Sequence, residues 1–409
     1  LLDEYNEDNK TIQLINTETG VKNTQRYLNI SNPDSSYPLK RKENSSVVPN
    51  YKNIVLIMME SMSAAKMKRH GNDMNLTPFL DSIASRGYYF ENTYSAGIHT
   101  FNGIFSTLFS YPAIFRQHPM NESSMLKYHG MSSTLKKQNY STIYFTTHDG
   151  QFDNVEGFLR ENDYDRIVTK ADYPTREAKT TLGVPDDFMF RFSVPILNDL
   201  SKKGKPFFSV FMTASDHGPY YIPDYFKPNN KEIKNQAVEY ADYSLKTFMD
   251  MASKQPWYEN TLFVFIADHG AAISSEYNIS LDYNHVPLIF YSPNLTSDGK
   301  LFSQIAGQID VFPSIMGLLG IPFENYTLGI NLFNEKRPYI YFNADDKFGV
   351  IDSSWLLIVN RDQTMGLYRY REHDQKNYTN LYPTIVENMK TYAASNLQTY
   401  QYILSKKKM

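Results

Sequence analysis

Residues 261–270 read TLFVFIADHG and decide the fold class of this 409-residue chain. The first six are a nearly continuous run of β-branched, aliphatic and aromatic side chains. Such a run is typical of a strand that is buried on both faces of a parallel sheet. It ends in Asp268, His269 and Gly270, at the point where open α/β sheets bind their ligands. Asp and His together suit a divalent metal, although a turn residue followed by a capping His explains this pair equally well.

Three other apolar runs also end in acidic or histidine residues. The residues at all four ends are Glu60, His148-Asp149, Asp216-His217 and Asp268-His269. His285 directly precedes a further apolar run at 286–291. Because parallel strands present their carboxyl ends along one edge of a sheet, we expect these side chains to lie close together. Each residue alone has an ordinary explanation as a cap or a loop residue, but together they predict a metal-assisted active site.

Helix and strand patterns alternate between residues 51 and 333. The helices are predicted at 77–87, from about 100, and at about 122–138, 186–202, 236–253 and 310–319. This alternation predicts an α/β fold with a doubly wound, mostly parallel sheet flanked by helices. In the first of these helices, Thr77 is the predicted cap, Pro78 the first residue and Gly87 the end.

The pattern changes at both ends of this region. Residues 1–50 are polar and predict an arm that drapes over the main domain, in which TQRYLNI at 24–30 adds a short strand. Short strands and a helix at about 383–405 predict a smaller C-terminal α+β subdomain. We therefore expect an arm or linker at 1–50, a catalytic domain at 51–333 and the subdomain at 334–409.

The composition narrows the class of function. The absence of cysteine excludes disulfides, a Cys nucleophile, thiolate metal sites and a formylglycine made from Cys. The net charge of −3 gives no electrostatic case for nucleic acid as a partner. No apolar run reaches the roughly 18 residues that span a bilayer, and no signal peptide is visible. We therefore expect the chain to be a piece from which a targeting or membrane segment has been removed.

Thr100 is the candidate nucleophile. It lies at the predicted start of a helix, behind a turn that contains Gly97. Its ordinary role at that position is an N-cap. The same position faces the free N–H groups and partial positive charge that bind anions, and a metal can activate a threonine hydroxyl. The local sequence does not separate the two roles.

Several motifs that contain these residues resemble a known family. In their order and content they are similar to the catalytic domain of lipoteichoic acid synthases and related phosphoglycerol transferases, in the sulfatase branch of the alkaline phosphatase superfamily. The resemblance covers about Asn53 to Phe333. Its motifs are NIVLIMMES (53–61), LTPFLDSIASRG (76–87), GIHTFNGIFSTL (97–108), LGVPDD (182–187), ASDHGPY (214–220), FIADHG (265–270), NHVPLIFYSP (284–293) and IDVFPSIMGLLGI (309–321).

The resemblance implies a site with one divalent metal. Its ligands would be Glu60, Thr100, Asp268 and His269, and Thr100 would also be the nucleophile that forms a phospho-threonine ester. Manganese is the usual metal of the family, and magnesium or zinc could replace it.

The resemblance also implies roles for three histidines. His217 and His285 would contact the phosphoryl oxygens and the leaving group, and His148 would bind substrate.

The sequence departs from the family pattern in two places. Thr100 is followed by FNGIF rather than by a formylglycine motif, which argues against the hydrolytic mechanism of the sulfatases proper. The segment HDGQFDN at 148–154 lacks the Trp and Arg of lipoteichoic acid synthases, which leaves the headgroup specificity open.

The implied activity is the transfer of glycerol phosphate from a phosphatidylglycerol-like phospholipid. The acceptor would be a cell-envelope glycan, a glycolipid or a polyglycerolphosphate. The catalytic domain would lie on the extracytoplasmic side of a bacterial membrane, anchored through an N-terminal transmembrane region. Phosphoethanolamine transfer, hydrolysis of phosphodiesters or sulfate esters, and a non-catalytic binding role are the alternatives.

Overall fold

The computed structural model describes residues 13–44, 48–121, 126–274, 276–294 and 298–407. The described part of the N-terminal arm contains a helix, α1 (Thr17–Tyr27), and a short strand, β1 (Arg41–Glu43). The predicted strand at 24–30 is therefore wrong, because its first residues belong to α1. Asn16 caps this helix by accepting a hydrogen bond from the amide of Thr19, and Thr24 lies 2.9 Å, between hydroxyl oxygens, from Thr399 of the last helix.

The central sheet has eight strands in the described part of the chain. They are β2 (Asn53–Met59), β3 (Tyr88–Tyr94), β4 (Ser141–Thr146), β5 (Arg166–Val168), β6 (Phe207–Met212), β7 (Thr261–Ala267), β8 (His285–Tyr291) and β9 (Lys300–Gly307). Their order across the sheet is β5-β4-β6-β2-β7-β8-β3-β9. Strand β8 is antiparallel to both of its neighbours, and the other pairings are parallel. The mostly parallel sheet is confirmed; β5 and β9 were not predicted.

Helices cover both faces of this sheet. They are α2 (Pro78–Arg86), α3 (Thr100–Phe109), α4 (Met131–Lys137), α5 (Val155–Glu161), α6 (Asp186–Ser201), α7 (Ile233–Ala252) and α8 (Val311–Leu318). Side chains of α2, α6 and α7 share one hydrophobic core, and side chains of α3, α4, α5 and α8 share the other. The doubly wound architecture is confirmed.

The alternation of side chains along β2 explains why one apolar run serves both cores. Ile54, Leu56 and Met58 belong to the core under α3, whereas Val55 and Ile57 belong to the core under α2. Successive residues of a strand point to opposite faces. A strand with both faces covered is therefore apolar along most of its length: all seven residues of β2 are buried, and the six after Asn53 are apolar.

Two helix predictions need correction. The helix predicted at about 122–138 begins only at Met131, with Gly130 at its cap position; residues 122–125 lie outside the described residues. Thr77 precedes α2, but its side chain makes no capping hydrogen bond. The carboxylate of Asp242 on α7 caps α2 instead, because it accepts hydrogen bonds of 2.8 Å from the amides of Phe79 and Leu80.

The C-terminal region is a smaller sheet followed by a long helix, as predicted. After the short strand β10 (Phe323–Asn325), which pairs with β1, the meander consists of β11 (Ile340–Ala344), β12 (Lys347–Ile351), β13 (Leu356–Asn360) and β14 (Met365–Tyr368). Helix α9 (Pro383–Lys407) ends the described chain. The domain boundaries at residues 50 and 333 stay predictions. Within the described ranges, no helix combines the length and the apolar character needed to cross a bilayer.

Candidate metal centre and active site

The register of β2 and β7 puts Glu60 beside Asp268. These strands pair in parallel and end with Met59 opposite Ala267. The next residue of each is a carboxylate at the carboxyl edge of the sheet. The amide of Asp268 continues the pairing by donating to the carbonyl of Met59 over 3.1 Å. The structure thus brings Glu60, Asp268 and His269 together from two predicted strand ends.

Glu60, Asp268 and His269 form what we call the open cluster. Each offers a ligand atom within 4.8 Å of the others, and all three residues are buried. The Nε2 atom of His269 lies 3.5 Å from Oδ2 of Asp268 and 3.8 Å from Oε1 of Glu60. Oδ2 of Asp268 is buried and has no hydrogen-bond partner among the described residues. Such an oxygen is unfavourable in a protein interior, and a cation bound there removes that penalty. The residues therefore fit a divalent metal.

The electrostatics of the open cluster also favour a cation. The pKa of Glu60 is raised well above its ordinary value, first by burial and then by the negative charge of Asp268. Two carboxylates at this separation oppose each other's ionisation. The buried ammonium of Lys66 does not neutralise them, because its Nζ lies 2.6 Å from Oδ2 of Asp216. A bound divalent cation would let both carboxylates of the cluster stay ionised.

Thr100 lies beside the open cluster. Its Oγ1 is 3.5 Å from Oε2 of Glu60, and its side chain is partly exposed. His99 occupies the N-cap position of α3, and Thr100 is the first helical residue. The hydroxyl of Thr100 is therefore not the cap of this helix. It lies at a helix N-terminus, where free N–H groups and a partial positive charge favour an anion.

A close approach of α3 to the end of β7 holds this arrangement. A Cβ on Gly103 would lie only 2.3 Å from the carbonyl oxygen of Asp268, so the helix reaches this position because residue 103 has no side chain. Gln308 adds a second link. Its Nε2 donates to the carbonyl of Asp268 over 2.7 Å, and its Oε1 accepts from the amide of Ala96 over 2.8 Å. The turn before α3 and the strand that carries the cluster are thus fixed to each other.

His148 and His217 lie on loops that follow β4 and β6, at the edge of the sheet that carries the open cluster. The pKa of His148 is lowered to about 4, first by burial and then by the nearby His217, whereas Asp268 acts in the opposite direction. The ring of His148 lies parallel to that of Phe152, with the centroids 5.3 Å apart. His217 is exposed, and its Nδ1 is 2.6 Å from the carbonyl of Gly218. A neutral His148 can hydrogen-bond a substrate at pH 7 without adding charge.

The structure does not bring His285 into contact with the open cluster. Its Nε2 is 2.7 Å from the carbonyl oxygen of Glu91. Its ring packs edge-on against His70 at 4.9 Å and stacks on Tyr94 at 5.3 Å. Burial lowers the pKa of His285, and lowers that of His70 to about 3. We call His70, Tyr94 and His285 the closed cluster, because these contacts use the imidazole of His285 within the fold.

Two acidic residues at the predicted strand ends bond to groups outside the open cluster. Asp149 is exposed and accepts a hydrogen bond of 3.0 Å from the amide of Gln151. Asp216 is buried against Lys66, and burial raises its pKa to about 6 although the ammonium lowers it. The pattern of acidic residues after apolar strands therefore selects the correct edge of the sheet but does not distinguish ligands from loop residues.

Three neighbours of the site were not predicted. Ser61 contacts two members of the open cluster, and Gln308 joins Asp268 to the turn before α3. Asp345 lies in the turn between β11 and β12, and its Oδ1 is 2.8 Å from Nε2 of His99. Only Ser61 had a signal in the sequence, since it closes the motif at 53–61. Gln308 and Asp345 reach the site through tertiary packing, for which no local pattern exists.

Comparison with known proteins finds relatives over the region that carries the site. A family model described as Sulfatase matches residues 52–321. Lipoteichoic acid synthase 2 of Bacillus subtilis (strain 168) is 24% identical over 325 residues, which are 72% of this chain and 49% of that protein. The chain spans about half the length of the curated relatives it matches.

Solved structures share the fold over nearly the whole chain. A protein in the alkaline phosphatase superfamily from Vibrio parahaemolyticus matches with a TM-score of 0.86 and 24% identity, covering 95% of this chain and 97% of that chain. The lipoteichoic acid synthase LtaP from Listeria monocytogenes matches with a TM-score of 0.74 and 19% identity, covering 95% and 98%. The predicted alkaline phosphatase-like fold is confirmed.

Proposed function

This chain belongs to the sulfatase family, and from that premise we propose that it is a metal-dependent phosphoglycerol transferase. The donor is a phosphatidylglycerol-like phospholipid, and the acceptor is a cell-envelope glycan, a glycolipid or a polyglycerolphosphate. The similarity to lipoteichoic acid synthases supports the class of reaction. One observation carries the proposal: the unpartnered Oδ2 of Asp268 lies in a cluster whose Glu60 is 3.5 Å from the hydroxyl of Thr100.

In the first half-reaction, Oγ1 of Thr100 attacks the phosphorus of the donor. The bond between Thr100 and phosphorus forms, the bond between phosphorus and the diacylglycerol oxygen breaks, and the hydroxyl proton passes to water. Glu60, Asp268 and His269 would hold a divalent cation, whose positive charge would lower the pKa of the attacking hydroxyl. The N-terminus of α3 stabilises the charge that develops on the phosphoryl oxygens. His217 donates the proton that the leaving alkoxide needs.

In the second half-reaction, a hydroxyl of the acceptor attacks the phospho-threonine. Its proton passes to His217, the bond between Thr100 and phosphorus breaks, and the threonine hydroxyl is restored with a proton from water. If water takes the place of the acceptor, the same two steps produce hydrolysis. The identity of the acceptor therefore decides between a transferase and a phosphodiesterase.

We propose manganese as the metal and the outer face of a bacterial cell membrane as the location. Two of the three protein ligands outside Thr100 are carboxylates, which suit manganese or magnesium better than zinc. A lipid donor requires access to phospholipid headgroups, which the extracytoplasmic leaflet provides. The proposed substrate contacts are His148, His217 and the partly exposed face of Thr100.

The test compares Thr100→Val with Thr107→Val in the same helix. Both changes replace a hydroxyl by a methyl group, and the hydroxyl of Thr107 is buried without a partner among the described residues. With Mn²⁺ and vesicles that contain phosphatidylglycerol, we expect Thr100→Val to lower diacylglycerol release by about 10³-fold or more. Thr107→Val should retain most of the activity.

The same assay separates the alternatives. Full activity of Thr100→Val would refute the threonine nucleophile. Faster turnover of phosphatidylethanolamine than of phosphatidylglycerol would identify a phosphoethanolamine transferase. Turnover of an aryl sulfate above that of an aryl phosphodiester would identify a sulfatase-type hydrolase.

A further inference from the structure

Ser61 directly follows Glu60 and adopts an unusual backbone conformation. Its φ angle is +52°, in the left-handed region, and its side chain is 9% exposed. A residue with a Cβ adopts this region at a cost, so surrounding contacts must maintain it. Residues with a Cβ in such strained backbone conformations are often found at functional sites, where the strain can be part of the mechanism. The contacts of Ser61 indicate its role there.

Every polar group of Ser61 is used at the open cluster or beside it. Its hydroxyl donates to Oε1 of Glu60 over 2.7 Å. Its amide donates to Oδ1 of Asp268 over 2.9 Å. Its carbonyl accepts a hydrogen bond of 2.8 Å from the ammonium of Lys66. One residue therefore contacts both carboxylates of the cluster, and a buried lysine fixes its carbonyl.

These contacts divide the carboxylate oxygens into two groups. Oδ1 of Asp268 is occupied, because it accepts from the amides of Ser61 and of His269, the latter over 2.7 Å. Oδ2 of Asp268 is the unpartnered atom. Oε1 of Glu60 accepts from Ser61, and Oε2 is the oxygen that faces Thr100. In Asp268 the oxygen bound to Ser61 is thus different from the one left for a cation, whereas Oε1 of Glu60 accepts from Ser61 and also lies 3.8 Å from Nε2 of His269.

We propose that Ser61 is a positioning residue for the metal: its hydroxyl and its left-handed amide orient Glu60 and Asp268 so that the Glu60 carboxylate and Oδ2 of Asp268 are presented to a divalent cation. This inference rests on the proposed function, since it requires that the open cluster binds a metal. Groups that hydrogen-bond metal ligands typically change metal affinity by about 10- to 100-fold when removed. Ser61 acts on both carboxylate ligands at once.

Two variants separate the hydroxyl from the backbone. Ser61→Ala removes the hydroxyl and keeps a Cβ in the left-handed conformation. Ser61→Gly removes the same hydroxyl but adopts that conformation readily. Ser209→Ala is the matched control, because Ser209 is a fully buried serine of β6 whose hydroxyl bonds the carbonyl of Ile54.

The measurement is calorimetric titration of Mn²⁺ into the metal-free full chain at one fixed pH, with thermal unfolding of each variant before titration. We expect Kd for Mn²⁺ to rise about 10- to 100-fold in both Ser61 variants and to stay unchanged in Ser209→Ala. We expect metal-free Ser61→Gly to unfold at a temperature equal to or above that of Ser61→Ala.

Three outcomes would count against the inference, and they are distinguishable. A folded Ser61→Gly that binds Mn²⁺ as tightly as the wild type would overturn the role of Ser61 while leaving the metal site intact. A similar loss of Mn²⁺ affinity in Ser209→Ala would show that the effect comes from a general change in packing and not from the contacts of Ser61. A wild-type chain that binds no Mn²⁺ would overturn the proposed function and the inference together.

Discussion

The open cluster follows the ends of β2 and β7, whereas the closed cluster joins Tyr94 of β3 and His285 of β8 to His70; both contain histidine, yet their bonding differs. In the open cluster, Oδ2 of Asp268 is buried and receives no hydrogen bond from the part of the chain that the structure describes. In the closed cluster, the ring of His285 contacts His70, Tyr94 and the carbonyl of Glu91. A buried polar group that the protein already satisfies contributes to stability, whereas a buried carboxylate oxygen left without a donor beside a second carboxylate and a histidine favours a bound cation. The type of residue at a strand end therefore predicts a site less well than its bonding capacity, by which we mean the hydrogen bonds or metal contacts that its polar atoms can still form.

The largest expected effect follows from Asp268→Asn, which keeps the shape of the side chain and removes its charge. We expect phosphotransfer to fall by about 10³-fold or more, because the cation loses a carboxylate ligand. The metal-free variant should unfold at a higher temperature than the wild type, because the like charge beside Glu60 is removed. Activity and thermal unfolding in the presence of a chelator measure the two effects. Unchanged activity would contradict the assignment of the open cluster.

The second prediction concerns Asp242, a buried carboxylate that the protein satisfies with two amides of α2. Its pKa is raised from an ordinary value of 3.8 to about 7, chiefly by burial, with the two amides lowering it and nearby Asp81 raising it. The folded state therefore holds a proton that the unfolded state releases. This group stabilises the fold below about pH 4, and that contribution is lost as the pH rises through about 7, to a total of at most about 4 kcal/mol.

Asp242→Asn removes this dependence. We expect the free energy of unfolding of the wild type, relative to that variant, to decrease between about pH 4 and pH 7. Urea titrations across this range measure it, with and without Mn²⁺. We expect the same dependence of this free-energy difference on pH when Mn²⁺ is present, because Asp242 is not part of the open cluster. If Mn²⁺ abolished the dependence, Asp242 would be coupled to the metal, and it could not be contrasted with the carboxylates of the open cluster.

The smallest effect is expected for His285→Phe in the closed cluster. The change keeps an aromatic ring and removes the hydrogen bond to the carbonyl of Glu91, so unfolding should become easier by about 1–2 kcal/mol. Affinity for Mn²⁺ should not change. Urea unfolding and metal titration of one protein sample measure both quantities. A stable variant that releases diacylglycerol much more slowly than the wild type would support the substrate contact of His285 that the resemblance implies.

Much of the fold could be predicted from the sequence because local patterns encode it. The apolar run at 261–266 and the similar run before Glu60 predict strands buried on both faces, and both are central in the sheet. Strand β9 lacks such a run, since most residues of its first half are exposed. The strand predicted at 24–30 was wrong because the helix α1 depends on packing against α9, and the sequence of residues 24–30 does not reveal that packing.

The site could be predicted in part for the same reason. Glu60, Asp268 and His269 meet because adjacent parallel strands end at one edge. The pattern cannot tell that Asp216 is neutralised by Lys66, since that depends on a side chain from another loop. Nor can it tell that the antiparallel β8 directs His285 toward Glu91. Bonding capacity is a property of tertiary structure, and it distinguishes Asp268 from Asp216 and His285.

The most direct test of the central claim is mass spectrometry of the peptide that contains Thr100. The full chain is incubated with Mn²⁺ and phosphatidylglycerol vesicles without acceptor, quenched in acid and digested. If Thr100 is the nucleophile and the open cluster binds the metal, a glycerol phosphate ester is expected on Thr100 in the wild type and none in Asp268→Asn. Diacylglycerol release by the wild type with an unmodified Thr100, or with the ester on another residue, would contradict it.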